Sequence, residues 1–172
     1  MQDQGVSDLL AQSAIMRLIH TYPRGLDRLD KELLLSIGHA DATVDFPGMF
    51  SGSWAGFVDW LMAAHTDMLY NRHTIGNVLI EVDGDKAVSE TTATAHLVVK
   101  RADGDIENRE THSRYLDSWR LDGGRWWLAG RRTLRDYRSI DIITPERFAA
   151  TTSYVHAADV GRDDPSYAHF GR

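Results

Sequence analysis

The sequence predicts an α+β fold, in which a curved antiparallel or mixed sheet wraps around helices from the N-terminal part of the chain. Apolar residues recur with helical spacing before residue 70, but from His73 onward they follow the period of two that is typical of strands. Three turns built on Asp and Gly, at residues 83–85, 103–105 and 122–124, divide this second part into long segments. Helices and strands segregated along the chain in this way indicate the α+β class.

The first helix is predicted over residues 7–22, where apolar side chains recur every three or four positions and Ser7 is a suitable N-cap. Pro23 has no amide hydrogen and clashes with the preceding turn. We therefore expect this helix to kink or stop near Tyr22, which would leave Asp27 just past the break.

Shorter elements follow before the long strands begin. A second helix, a short strand, a turn-rich segment and a third helix are predicted over residues 30–35, 42–46, 47–53 and 54–69. The four long strands are predicted over residues 73–82, 86–101, 106–121 and 125–136. Residues 1–144 would form one domain. Residues 145–172 would pack on it as a short helix followed by an extended arm over residues 159–167.

Composition excludes several classes of function. The 172 residues carry 19 Lys and Arg against 25 Asp and Glu, a net charge of −6, and no cysteine. Disulfides and thiolate chemistry are therefore excluded, and a nucleic-acid partner is disfavoured. No cationic leader and no apolar run of about 20 residues is present, which favours a cytoplasmic protein without a membrane partner. The sequence shows no paired histidine spacing or glycine-rich phosphate loop, so we expect neither a metal nor another cofactor.

A curved sheet capped by helices encloses one deep pocket, which is the usual place for a small-molecule site. Each large aromatic residue near it is as typical of a packed core as of a binding wall. As a set they predict a small hydrophobic or aromatic substrate. The candidates for the wall are Phe46, Phe50, Trp54, Trp60, Tyr70, Tyr115 and Trp119.

Asp27 and His73 are the strongest pair of candidate catalytic residues. A carboxylate that holds one nitrogen of a neutral imidazole leaves the other nitrogen free to act as a general base. The alternative is structural: Asp27 could cap a turn or pair with Arg28, and His73 could be a hydrogen-bonded histidine at a strand end. The residues alone leave both interpretations open.

Four sequence motifs resemble one known family. They are residues 22–30 (YPRGLDRLD), residues 72–77 (RHTIGN), residues 82–87 (VDGDKA) and residues 114–117 (RYLD), followed by Trp126 and Arg131-Arg132. This pattern resembles the SnoaL-like branch of the nuclear transport factor two superfamily. That branch includes scytalone dehydratase, the lindane dehydrochlorinase and bile-acid 7α-dehydratase. The resemblance implies a cystatin-like cone fold, a homodimer or higher oligomer, and an Asp27–His73 catalytic dyad assisted by Tyr22.

Further substrate contacts are expected from the same resemblance and from strand alternation. The resemblance implies His96 as a second pocket histidine, and Asn77 closes the His73 motif. Alternation places His112 and Arg114 on one face of the third long strand and Tyr115 on the other, and we expect the first two in the pocket. Alternatively, the RYLD segment is structural, with its Asp paired to an Arg of the neighbouring strand.

These residues predict a cofactor-independent lyase that acts on a hydrophobic aromatic or polycyclic alcohol. Its reaction would be a dehydration or similar elimination, or the retro-aldol release of a small aldehyde. Two other classes remain open. An isomerase or cyclase of steroid or polyketide type would use the same base, and a non-catalytic ligand-binding module would use only the pocket.

Overall fold

Five helices and six strands are formed by the part of the chain that the structure describes. The structure is a computed structural model, and it describes residues 2–151, 161 and 163–171. The helices are α1 (Gln2–Asp27), α2 (Lys31–Leu35), α3 (Trp54–His65), α4 (Pro145–Thr151) and α5 (Pro165–His169). The strands are β1 (Gly38–Phe46), β2 (Phe50–Ser53), β3 (Tyr70–Asp83), β4 (Lys86–Lys100), β5 (Ile106–Asp122) and β6 (Arg125–Ile143). Within these described ranges, no helix is long and apolar enough to cross a bilayer.

All six strands form one open sheet, in the order β2-β1-β6-β5-β4-β3. The β3–β6 segment is an antiparallel meander, because each strand pairs with the next one along the chain. β1 runs parallel to β6 and carries β2 as an antiparallel edge strand. The sheet is therefore mixed, and the predicted α+β class is confirmed.

The main core lies between the sheet and helices α1 and α3. Ile15, Ile19 and Leu26 of α1 are at most 1% exposed, and α3 contributes Phe57 and Val58. The sheet contributes buried residues from several strands, including Ala42, Val44, Trp119 and Leu128. Apolar burial on this scale, at about 25 cal/mol per Å², holds the helices on one face of the sheet.

Helix α1 continues through Pro23 and ends at Asp27, so the predicted break near Tyr22 is wrong. A proline inside a helix costs about 3 kcal/mol or more through its lost hydrogen bond and its steric clash. Tyr22 and Leu26, on either side of it, are 4% and 1% exposed. Burying side chains of this size stabilises by about 1.5–3 kcal/mol each, which offsets the cost. Asp27 is thus held by a helix that is itself packed in the core.

Several other boundaries differ from the prediction. β6 extends to Ile143 rather than ending at residue 136, since it continues to pair with β5 up to Ile106↔Ile143. Backbone pairing thus extends the strand through residues 137–143, most of which are exposed. β2 lies inside the predicted turn, and α3 ends at His65 rather than at residue 69. Part of the predicted extended arm is helix α5, which begins after the N-cap residue Asp164; residues 159, 160 and 162 of that arm lie outside the described residues.

The described C-terminal residues attach to the corner between α1 and α2. The Tyr167 hydroxyl donates a hydrogen bond to Asp30 Oδ2 at 2.6 Å, and both side chains are buried. Arg28 Nε lies 2.8 Å from Asp164 Oδ2. The backbone N–H of Gly161 donates to the carbonyl of Arg28 at 2.7 Å. The division of the chain after residue 144 stays a prediction.

A fully buried ion pair joins β5 to β6. Arg131 Nε and Nη2 donate to the two carboxylate oxygens of Asp117 at 2.8 Å each, and the side chains are 1% and 0% exposed. The guanidinium carbon lies 4.3 Å from the ring centroids of both Tyr22 and Tyr115. Burial opposes the charge of Arg131, but the attraction of Asp117 outweighs it and raises its pKa. Asp117 is therefore paired as the structural interpretation of the RYLD segment requires.

Breaking this pair is expected to destabilise the protein strongly. Arg131→Met should lower the free energy of unfolding by about 3–5 kcal/mol, because it leaves the Asp117 carboxylate buried without its partner. Arg131→Met/Asp117→Leu should recover much of that loss, since no charge is then buried. Urea unfolding measures both. Arg132→Met is the control, because the Arg132 side chain is 61% exposed; equal stabilities of the two single variants would contradict the prediction.

Candidate active site

A cavity of about 230 Å³ lies between the helices and the concave face of the sheet. Most of its wall is apolar. The residues that line it are Tyr22, Leu26, Phe46, Met49, Phe57, Trp60, Leu61, Ala64, His65, Met68, His73, Ala95, Leu97, Arg109, Thr111, Ser113, Tyr115, Thr133, Arg135 and Arg138. Enclosed apolar walls with a few polar groups are typical of small-molecule sites.

Asp27 and His73 meet at the edge of this cavity, where the last residue of α1 faces β3. His73 Nδ1 lies 2.8 Å from Asp27 Oδ1, and the two side chains are 6% and 13% exposed. The backbone N–H of His73 also donates to both carboxylate oxygens, at 3.1 and 3.0 Å. One carboxylate therefore holds both the backbone and the ring of His73.

This geometry determines which ring nitrogen of His73 can act as a base. An ionised carboxylate only accepts hydrogen bonds, so Nδ1 carries the hydrogen and Nε2 keeps its lone pair. His73 lines the cavity, whereas Asp27 lies behind it. The arrangement can remove a proton from a bound molecule at Nε2 and stabilise the resulting imidazolium through Asp27.

The predicted aromatic wall is only partly present. Phe46, Trp60 and Tyr115 line the cavity. Two tryptophans are core residues instead, since the indole N–H of Trp54 donates to the carbonyl of Leu34 and that of Trp119 donates to Ser89 Oγ, each at 2.9 Å.

The last two wall candidates also lie outside the cavity lining. Phe50 packs against Phe57, with ring centroids 5.4 Å apart. Tyr70 is 40% exposed and packs edge-on against His96.

Tyr22 lies in the cavity wall beside the buried ion pair. Burial raises the pKa of Tyr22 to about 12, and the nearby Arg131 guanidinium offsets only part of this rise. The phenol is therefore protonated at neutral pH. It can donate a hydrogen bond to an oxygen inside the cavity.

The structure places four predicted substrate-binding residues away from the cavity. Ala95 and Leu97 of β4 line it, so alternation directs His96 to the opposite face. On β5 the residues with odd numbers from 109 to 115 line it. His112 and Arg114 therefore face outward, where they pair with Glu110 and Asp136. Asn77 is exposed at a bulge of β3, and its backbone N–H donates to Thr92 Oγ1.

His65 is a second histidine in the cavity wall, and it was not among the residues predicted from the sequence. It lies at the end of α3, its ring centroid is 5.8 Å from that of His73, and the residue is 8% exposed. Burial lowers the pKa of His65 to about 4, and the charge of His73 contributes in the same direction. The sequence feature that indicates its inward position is the spacing of four residues from Leu61, which places it on the apolar face of α3.

Three arginines in the cavity wall were also missed. Arg109 lies on β5, and Arg135 and Arg138 lie on β6. The last strand was predicted to end at residue 136, and none of these residues was assigned to a face of the sheet. Together with His65 and His73 they are the basic groups of the described residues that line the cavity.

Fold and cavity together define a cone-fold protein of the nuclear transport factor two type. The chain belongs to the SnoaL-like domain family, whose model matches residues 7–132. No curated protein matches the sequence.

Solved structures share the fold at low sequence identity. A candidate scytalone dehydratase from Novosphingobium aromaticivorans superimposes with a TM-score of 0.69 at 17% identity, over 91% of this chain and 100% of that one. Hexachlorocyclohexane dehydrochlorinase LinA-type3 from Novosphingobium barchaimii gives 0.67 at 16%, over 80% and 94%. A protein of unknown function with a cystatin-like fold from Nostoc punctiforme gives 0.58 at 22%, over 74% and 92%.

The low pKa of His65 predicts a specific pH dependence of stability. In the folded protein this pKa is about 4, below the 6.5 of an ordinary histidine, so the unfolded chain takes up the proton first. The contribution of His65 should be complete above pH 6.5. It should be lost as the pH falls from 6.5 to 4, by about 3 kcal/mol in total.

Urea unfolding across this pH range measures the effect. His65→Gln should remove the pH-dependent part, whereas His20→Gln, on an exposed face of α1, should keep it. An unchanged pH dependence in His65→Gln would show that His65 is not held neutral by the fold.

Proposed function

We propose that this protein is a cofactor-independent lyase in which His73 is the general base and Asp27 orients it. One observation carries the proposal: the His73 ring lines the cavity while its Nδ1 is held 2.8 Å from Asp27 Oδ1. The structural interpretation of this pair explains the hydrogen bonds to Asp27. It does not explain why the ring faces an apolar cavity.

The proposed reaction is an elimination. Nε2 of His73 removes a proton from a substrate carbon, the C–H electron pair forms a double bond, and the neighbouring C–O bond breaks. Asp27 stabilises the imidazolium that forms. The departing oxygen takes a proton from the Tyr22 hydroxyl and leaves as water, and the proton held by His73 then restores the Tyr22 hydroxyl. In the retro-aldol variant the same base removes a hydroxyl proton, and the neighbouring C–C bond breaks as the carbonyl of a small aldehyde forms. The His73 imidazolium then returns the proton to the carbon that keeps the electron pair.

The cavity supports a hydrophobic substrate of aromatic or polycyclic type. Phe46, Trp60 and Tyr115 supply flat apolar surfaces for ring systems. Dehydratase and dehydrochlorinase names among proteins of the same fold are consistent with elimination chemistry. The protein would then act in the breakdown or modification of aromatic alcohols, as a homodimer or higher oligomer.

An isomerase or cyclase is the second candidate, since the same base can return its proton to another atom of the substrate. Incubation of the protein with a panel of aromatic and polycyclic alcohols, followed by mass spectrometry, separates the two. Loss of water or of a small aldehyde supports the lyase. A product of unchanged mass supports the isomerase or cyclase, and absence of any product supports a non-catalytic binding module.

Loss of the His73 ring is expected to stop turnover without unfolding the protein. His73→Ala should lower kcat by about 10²–10⁴-fold, the usual contribution of a general base. The fold should remain, because the backbone N–H of residue 73 still donates to Asp27. His112→Ala is the matched control on the outer face of the sheet. A variant that melts much lower yet keeps its kcat would make His73 structural.

Asp27→Asn tests the orienting role separately. The amide keeps the shape of the carboxylate, but it can present its N–H₂ group to the ring and does not stabilise the imidazolium. We expect kcat to fall by about 10²-fold or more, with little change in KM. Steady-state kinetics measure this, and near-normal turnover would remove Asp27 from the site.

A further inference from the structure

The ionisable side chains that line the cavity, apart from the tyrosines, are all basic. Among the described residues, the ionisable side chains in the wall besides the tyrosines are Arg109, Arg135, Arg138 and the two histidines, and no carboxylate lines it. The whole chain carries a net charge of −6. A positive wall inside an acidic protein is therefore a local feature of this site.

A β-bulge brings two of these arginines to the same face of the sheet. Ser113 of β5 pairs with Arg135 of β6, but the residue before it in β5, His112, pairs with Tyr137. Asp136 is thus the extra residue in β6. Residues three apart in a regular strand point to opposite faces, whereas the extra residue directs both Arg135 and Arg138 into the cavity.

These arginines exceed the acidic groups available to them. Glu107 is shared by three guanidinium groups, with its carboxylate oxygens 2.6 Å from Arg109, 3.4 Å from Arg138 and 3.6 Å from Arg101. In the described part of the chain, Arg135 has no carboxylate within 4 Å. Its guanidinium carbon lies 5.4 Å from the ring centroid of Phe46, which is itself in the wall.

The arginines also influence one another. Burial lowers the pKa of Arg138, and the positive charges of Arg109 and Arg135 lower it further. All three guanidinium groups line the same cavity, so their repulsion acts across a common space. An anion placed in that space would relieve it.

The sheet register sets the distance between the arginines and the proposed base. His73, Ala95, Thr111 and Arg138 pair in one row across β3, β4, β5 and β6. Three strand spacings separate the backbones of His73 and Arg138 by about 14 Å. Both side chains line the cavity, and aromatic and aliphatic side chains fill the wall between them.

We propose that the cavity binds an amphiphilic ligand with an oxyanion group, a carboxylate or a sulfate, held by Arg135 and Arg138. Its apolar part lies along the aromatic wall and its reactive end lies at His73. Such a ligand would be the substrate of the proposed lyase, and this part of the inference rests on the proposed function. Bidentate guanidinium contacts suit the planar carboxylate, and the same donors also fit a sulfate.

Two fluorescent probes test the proposal without any turnover. 8-Anilinonaphthalene-1-sulfonate and N-phenyl-1-naphthylamine share their rings and differ by the sulfonate. Wild-type protein should bind the sulfonate probe at least about tenfold more tightly, the factor expected for one charge-assisted hydrogen bond. Arg135→Gln/Arg138→Gln should reduce this preference below about threefold and leave the Kd of the neutral probe unchanged.

Arg132→Gln is the control, since it removes one positive charge from a position beside Asp45 that does not line the cavity. It should keep the preference of the wild type. Displacement of the sulfonate probe by 2-naphthoate and by 2-naphthalenesulfonate shows which oxyanion is bound more tightly. Equal binding of the two probes by wild-type protein, or a preference that survives in the double variant, overturns the proposal.

The same variants separate this inference from the proposed lyase. If the probe preference depends on the two arginines but no alcohol in the panel is converted, the oxyanion site stands and the lyase does not. If neutral alcohols are dehydrated and the probes bind equally, the lyase stands and the oxyanion site does not.

Discussion

The buried pair between Arg131 and Asp117 is the interaction on which the rest of the structure depends. Two charges without contact with solvent are retained only when their geometry is nearly ideal, and here both hydrogen bonds are 2.8 Å long. The guanidinium also lies against the rings of Tyr22 and Tyr115. The pair therefore joins two strands to helix α1 and holds Tyr22 against the cavity.

Helix α1 in turn carries the carboxylate that positions His73. Asp27 is its last residue, so the direction of the helix sets where this carboxylate meets β3. The helix passes through Pro23 at a local cost that is offset only because its neighbours are buried. The same helix therefore packs in the core and sets the geometry of the candidate site.

Much of the fold was predictable, because periodicity and turn chemistry are local properties. The Asp-Gly turns located the hairpins between β3 and β6 to within a few residues. The pairing of Asp27 with His73 came from family resemblance, since the residues lie 46 positions apart and nothing local connects them. Which residues of β5 and β6 face inward was not predictable. The facing of these residues depends on the long-range register of the strands and on a bulge that no residue type in the sequence indicates.

The bulge at Asp136 has a consequence for how this family can diversify. Because Asp136 is the residue without a partner in β5, deletion of its codon would leave a regular strand in which Tyr137 still pairs with His112 and Arg138 still pairs with Thr111. Arg138 would stay in the cavity wall, and only the outer face would change, through loss of the carboxylate that holds Arg114. A one-residue gap at this point in an alignment of relatives therefore indicates loss of the bulge and leaves the inward-facing residues of the strand the same.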